Sequence, residues 1–175
     1  MPALAPKHRL LACALLALVM PTAAPAQAHD HAAMAASAPQ SADAQRVVRT
    51  MQALFAAAER NDMAALDTLY AGDSLLVIEG AGINRGWKDY RDNHLGPELK
   101  EFKNFKYRPF EIEARVVGDV AWVTYRYAIS ADMGERKLDS VGRGTAILER
   151  RGAKWVVRLT QTGSRARRPN DPPMP

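Results

Sequence analysis

The chain has 175 residues, 47% hydrophobic and 25% charged, which suffices for one globular domain with its own core and leaves little room for a second. Its formal net charge of +5 is mild and its basic residues are scattered, which argues against nucleic acid as a partner. The only cysteine is Cys13, so no intrachain disulfide can form.

Residues 1–28 have the layout of a secretory signal peptide. A basic start (Lys7, His8, Arg9) leads into an apolar run from Leu10 to Met20, the helix breaker Pro21, and small residues ending Ala26-Gln27-Ala28. The apolar run is too short to span a bilayer, so no membrane contact is expected after cleavage. Lipoprotein processing at Cys13 does not fit, because the apolar region follows that cysteine. Cleavage after Ala28 predicts a periplasmic or secreted protein. It removes Lys7 and Arg9, leaving 22 basic against 19 acidic side chains, a net of +3. It also removes Cys13, and with it any thiolate chemistry.

Residues 29–40, rich in Ala, Ser and Pro, read as a flexible leader. A cut after Ala28 makes the mature chain begin His29-Asp30-His31. The new amine, two amide nitrogens and the His31 imidazole then offer a square-planar nitrogen set suited to Cu(II) or Ni(II), and Met34 a soft ligand for Cu(I). The alternative is a solvated tail. No cofactor is expected in the folded domain, whose only histidine is His94.

The domain spans 41–164. Ser41 caps a first helix with an apolar stripe of Val47, Met51, Leu54, Phe55 and Ala58, while Arg46, Arg49, Gln52, Glu59 and Arg60 face water. Asp62 caps a second, shorter helix carrying Met63, Leu66, Leu69 and Tyr70, ended by Gly72. Leu75 to Ile78 is a short buried strand, followed by a loop made flexible by Gly80, Gly82 and Gly86. A third helix places Trp87, Tyr90 and His94 on one side of the cylinder, with Pro97 marking its end.

Long strands follow. Phe110, Ile112, Ala114 and Val116 alternate with charged residues, and Gly118-Asp119 turns the chain into Val120 to Ile129. That return strand has Ala121, Val123, Tyr125, Tyr127 and Ile129 on one face and Trp122, Thr124 and Arg126 on the other. Bulk on both faces implies that one covers the helices and the other meets a second copy, so a homodimer is expected. A strand from Arg136 to Glu149 turns at Arg151-Gly152 into the last, Lys154 to Thr162, where Trp155, Val157, Leu159 and Gln161 share a face. Residues 165–175 are Arg- and Pro-rich and read as a disordered tail. Strands that arrive only after helices argue for an α+β fold, one curved antiparallel sheet wrapped around three N-terminal helices with a pocket at its open end.

This order, the phrase Ala57-Ala58-Glu59-Arg60-Asn61-Asp62-Met63, the Gly86-Trp87 helix entry, and Gly144-Thr145-Ala146-Ile147-Leu148 leading to Gly152-Ala153-Lys154-Trp155-Val156-Val157 resemble the nuclear-transport-factor-2-like superfamily. Within it the chain is most similar to exported SnoaL-like domains, relatives of polyketide cyclases and ketosteroid isomerases. The resemblance implies a cone-shaped sheet, frequent dimers and a deep pocket used for catalysis or for binding. It also implies a general-base carboxylate near Glu79. Two departures count against catalysis. Met51-Gln52-Ala53-Leu54-Phe55 holds no oxyanion-binding tyrosine, and Leu159 and Gln161 stand where many such domains keep histidines.

Three readings follow. The first is binding of a small, largely apolar molecule by a pocket that includes Trp87, Tyr125, Arg143, Leu159 and Gln161. The second is an isomerase, cyclase or dehydratase type of enzyme, with Glu79 abstracting a proton beside a carbonyl and Tyr90, His94 or Tyr125 donating to the oxyanion. Against it, Glu79 could simply pair with Arg85 or Arg143. The third is copper handling through His29 and His31.

Overall fold

The computed structural model describes residues 41–171. Residues 1–40, which hold the expected signal segment and the leader with His29 and His31, and residues 172–175 lie outside the described residues.

Helix α1 (Ala42–Glu59) starts where Ser41 accepts a hydrogen bond from the Ala44 N–H, and its stripe of Val47, Met51, Leu54, Phe55 and Ala58 is buried. Helix α2 (Met63–Leu69) is capped by Asp62, whose side chain accepts from the Ala65 N–H. Glu59 does not face water as its helical position suggested. Its carboxylate accepts the Tyr107 N–H at 3.0 Å and pairs with Arg108 and Lys106, which ties α1 to the strand above it.

The strand β1 (Leu76–Glu79) is followed by a second strand, β2 (Gly82–Arg85), where a flexible loop was expected. The pairing Ile78 to Ile83 and Glu79 to Gly82 makes this segment a tight antiparallel hairpin, so its glycines serve the turn. The next helix does not end at Pro97. Helix α3 (Trp87–Tyr90) widens into a π-helical stretch (Arg91–Leu95) and continues as α4 (Gly96–Glu101). Pro97 lies in the first turn of α4, a position that requires no N–H donor. Gly96 permits the wide turn, since a side-chain carbon there would lie 2.5 Å from the Arg91 carbonyl oxygen.

Four long strands complete the sheet: β3 (Lys103–Val117), β4 (Val120–Met133), β5 (Arg136–Arg151) and β6 (Lys154–Ala166). The order is β2-β1-β6-β5-β4-β3. The sheet is mixed, because β1 runs parallel to β6 while every other pairing is antiparallel.

Two bulges change which residues face inward. One extra residue in β3 between Phe110 and Glu113, with Glu111 at φ 51°, puts Phe110 opposite Arg126 on the outer face instead of in line with Ile112 and Ala114. Another between Val157 and Leu159 flips the second half of β6. Trp155 and Val157 are buried, after which Thr160 faces the core while Leu159 and Gln161 face outward beside Ile147 and Thr145. Strict alternation from Trp155 does not survive that bulge. The last strand runs past Ser164 to Ala166, where the Arg167 N–H donates to the Asp139 carbonyl oxygen and Arg165 forms a two-point pair with Asp171.

The core lies between α1 and the concave face of the sheet. Phe55 is its centre, edge-on to Tyr107 (4.7 Å between centroids) and Tyr125 (5.1 Å).

Candidate functional site

Glu79 ends β1 two residues after the fully buried Val77, so the two-residue period of a strand turns it to the core side, in register with Thr162 of β6. The helical run from α3 to α4 closes over that point. The buried Tyr90 hydroxyl donates to Glu79 Oε1 at 3.1 Å, and His94 Nε2 lies 3.2 Å from Glu79 Oε2. Glu98, one turn after His94, brings Oε1 to 3.4 Å from the same nitrogen. The rings of Tyr90 and His94 meet edge to face at 5.2 Å.

The other imidazole nitrogen is also held. His94 Nδ1 lies 2.8 Å from Asn84 Oδ1, while the Asn84 amide donates to Asp89 Oδ2 at 3.0 Å. A carboxylate only accepts, so the Asn84 NH2 must face Asp89, which leaves its oxygen to face His94. An oxygen needs a donor, so His94 Nδ1 carries a proton, while Nε2 faces the acceptor oxygens of Glu79 and Glu98 and hydrogen-bonds to them only when it carries a proton as well. Asp89 is well suited to anchor this chain, because hydrogen bonds from Asn93, Asn84 and the Arg85 N–H hold its carboxyl below the usual carboxylate range. Glu98 moves the other way. Burial pushes its carboxyl up, attraction to His94 offsets part of that, and the Glu79 charge adds to it.

Replacing Asn84 by Ala therefore removes the acceptor that holds the Nδ1 proton. His94 Nδ1 is expected to carry a proton in the wild type and to lose that preference in Asn84→Ala, read from imidazole nitrogen shifts by NMR. A wild-type ring with no proton at Nδ1 would refute the assignment.

Of the five tyrosines of the chain, Tyr90 touches this carboxylate. Burial pushes the phenols of Tyr70, Tyr90, Tyr107, Tyr125 and Tyr127 above their ordinary range, and the Glu79 charge adds to the shift in each. The rings of Tyr125 and Tyr127 lie across β5 where Gly144 and Gly142 have no side chain. Tyr127 then reaches the Ser164 and Thr162 hydroxyls.

The residues expected from the sequence divide. Glu79, Tyr90 and His94 meet directly, and Glu79 pairs with neither Arg85 nor Arg143. Tyr125 faces inward from β4. Trp87 stacks on Tyr70 at 4.6 Å and donates to Asp67 at 2.6 Å, forming the wall behind Tyr90 instead of touching Glu79. Leu159, Gln161 and Arg143 lie on the outer face of the sheet, away from Glu79. Asn84, Asp89 and Glu98 were missed. Glu98 follows His94 at i+4 and is legible once the helix is carried through Pro97, whereas Asn84 was hidden by reading β2 as a loop.

The family model for the SnoaL-like domain matches residues 47–162. No curated protein sequence matches the chain. Among solved structures, a candidate ketosteroid isomerase from Shewanella frigidimarina NCIMB 400 is 18% identical, with 66% of this chain and 92% of that one covered and a TM-score of 0.59. A candidate dehydratase of the NTF2-like family from Streptomyces avermitilis is 17% identical, with 69% and 94% covered and a TM-score of 0.62. An NTF2-like superfamily protein from Salmonella enterica serovar Typhimurium LT2 is 15% identical, with 70% and 91% covered and a TM-score of 0.64. At these identities the likeness establishes the fold.

Proposed function

The chain belongs to the SnoaL-like family, and from that premise we propose that the domain moves a proton on a small carbonyl compound, with Glu79 as general base and His94 as its proton partner. One observation supports this most: a buried phenol and an imidazole, itself anchored through Nδ1, each lie within 3.2 Å of one carboxylate at the end of a strand. The names of two structural neighbours, an isomerase and a dehydratase, fall in the same reaction class. Glu79 takes a proton from carbon next to the carbonyl and returns it to the product carbon, while His94 Nε2, when protonated, donates to the charge growing on the carbonyl oxygen. The test is deuterium uptake from D2O at carbons next to carbonyls across a panel of small ketones and enones, followed by NMR. Exchange no faster than in buffer across the panel would overturn the proposal.

A second reading, capture of a small apolar molecule without chemistry, is favoured by the Tyr90 hydroxyl. It is committed to Glu79 instead of being free to hold an oxyanion. Native mass spectrometry that finds a retained ligand, together with no exchange activity, would select that reading.

We also infer that a second copy covers the part of the sheet's outer face around Trp122 and Ile147. Trp122 and Ile147 are exposed there, in register with each other and with Leu159 across β4, β5 and β6. Trp122→Glu is expected to shift sedimentation from dimer to monomer, and a wild type that is monomeric at micromolar concentration would refute the inference. Export through residues 1–28 and Cu(II) capture by His29 and His31 are separate proposals that rest on the sequence of the leader alone.

A further inference from the structure

We propose that the outer face of the sheet carries a second site, for a small oxyanion, between Arg126 and Arg143. The two residues are direct partners across β4 and β5, on the face opposite Glu79 and four residues along β4 from Trp122. Like charges placed directly opposite each other on neighbouring strands destabilise a sheet. Guanidinium groups cannot relieve this by losing a proton, so negative charge must, and the protein supplies it to Arg126 through Glu111 but, among the described residues, not to Arg143.

The surroundings are built to admit an anion. A cavity of about 470 Å³ is lined by Arg126, Arg143, Gly163, Ser164 and Arg165, with no carboxylate in its lining. Its floor includes Gly163, the partner of Arg143 on β6, and a side-chain carbon there would meet nothing within 4 Å. Of the three arginines, Arg165 is held by Asp171, and Arg126 is paired with the exposed Glu111 while stacked over Phe110. Arg143 has no carboxylate partner among the described residues. The adjoining groove shares Arg126, Arg143 and Gly163 and adds Glu111 and Glu113, whose charges disfavour an anion on that side of the arginines. Planar guanidinium forks match phosphate and carboxylate oxygens alike, so the ligand class is a phosphate or a small carboxylate held at two points.

The experiment is thermal unfolding of the full chain, wild type against Arg143→Gln and Arg143→Lys, with inorganic phosphate and acetate titrated separately at fixed ionic strength. In chloride alone, Arg143→Gln is expected to melt above the wild type, because it removes the repulsion. At about ten times its Kd, the preferred anion is expected to raise the wild-type Tm by roughly 3–6 °C, Arg143→Lys by less, and Arg143→Gln not at all. A response to phosphate alone marks a phosphate ligand, and a response to acetate alone marks a carboxylate. Equal shifts in wild type and Arg143→Gln, or no shift with either anion, would overturn the proposal.

Discussion

Glu79→Gln is expected to lower the rate of carbon-proton exchange by roughly 10²–10⁴ while leaving the fold intact. Glutamine keeps the length of the side chain and still accepts from the Tyr90 hydroxyl, so the 3.1 Å contact and the packing of α3 survive. What it loses is the capacity to take up a proton. It also leaves His94 Nε2 with Glu98 as its only charged neighbour, at 3.4 Å. Circular dichroism and Tm check the fold, and deuterium uptake checks the chemistry. A variant that exchanges at the wild-type rate would remove Glu79 from the mechanism, whatever the activity of the parent protein.

Gly144→Ala is expected to destabilise the domain by about 1–3 kcal/mol, the usual range for forcing an extra carbon into a filled core. A methyl group at this position would lie 2.3 Å from the Tyr125 ring. The ring cannot swing freely, since it is buried and packed edge-on against Phe55 at 5.1 Å. Either the tyrosine leaves its rotamer or β4 and β5 separate locally. Urea unfolding of Gly144→Ala, Tyr125→Ala and the double variant measures this directly. Removing the ring removes the clash, so the double variant is expected to cost less than the two single changes together. A Gly144→Ala protein within 0.5 kcal/mol of wild type, on the order of an ordinary surface change, would mean that the ring is not confined there.

Gly142 bears the same relation to Tyr127. The pair explains why a strand with glycines at alternate positions is still a central strand of the sheet: each glycine is the floor under an aromatic ring supplied by the neighbouring strand. Glycine in a strand interior otherwise weakens it.

The helical stripe of α1, the caps at Ser41 and Asp62, the hairpin turn at Gly118-Asp119 and the arrival of long strands after helices were all legible in the chain, because each is set by residues within a few positions of one another. They determine the α+β class, and the order of short phrases along the chain points to the SnoaL-like family that the match over residues 47–162 establishes. Glu79, Tyr90 and His94 could be selected as candidates by residue type and helical spacing. Their contact could not, since Glu79 comes from a strand and its partners from a helix that widens into a π turn in between. The inward or outward sense of Phe110, Leu159 and Gln161 was likewise decided only in three dimensions. A single extra residue in β3 or β6 reverses every side chain beyond it, and alternation read along one strand carries no record of where the neighbouring strand forces that bulge. The same holds for Arg126 and Arg143, 17 positions apart in sequence by their numbering, which become neighbours only through the register of β4 with β5.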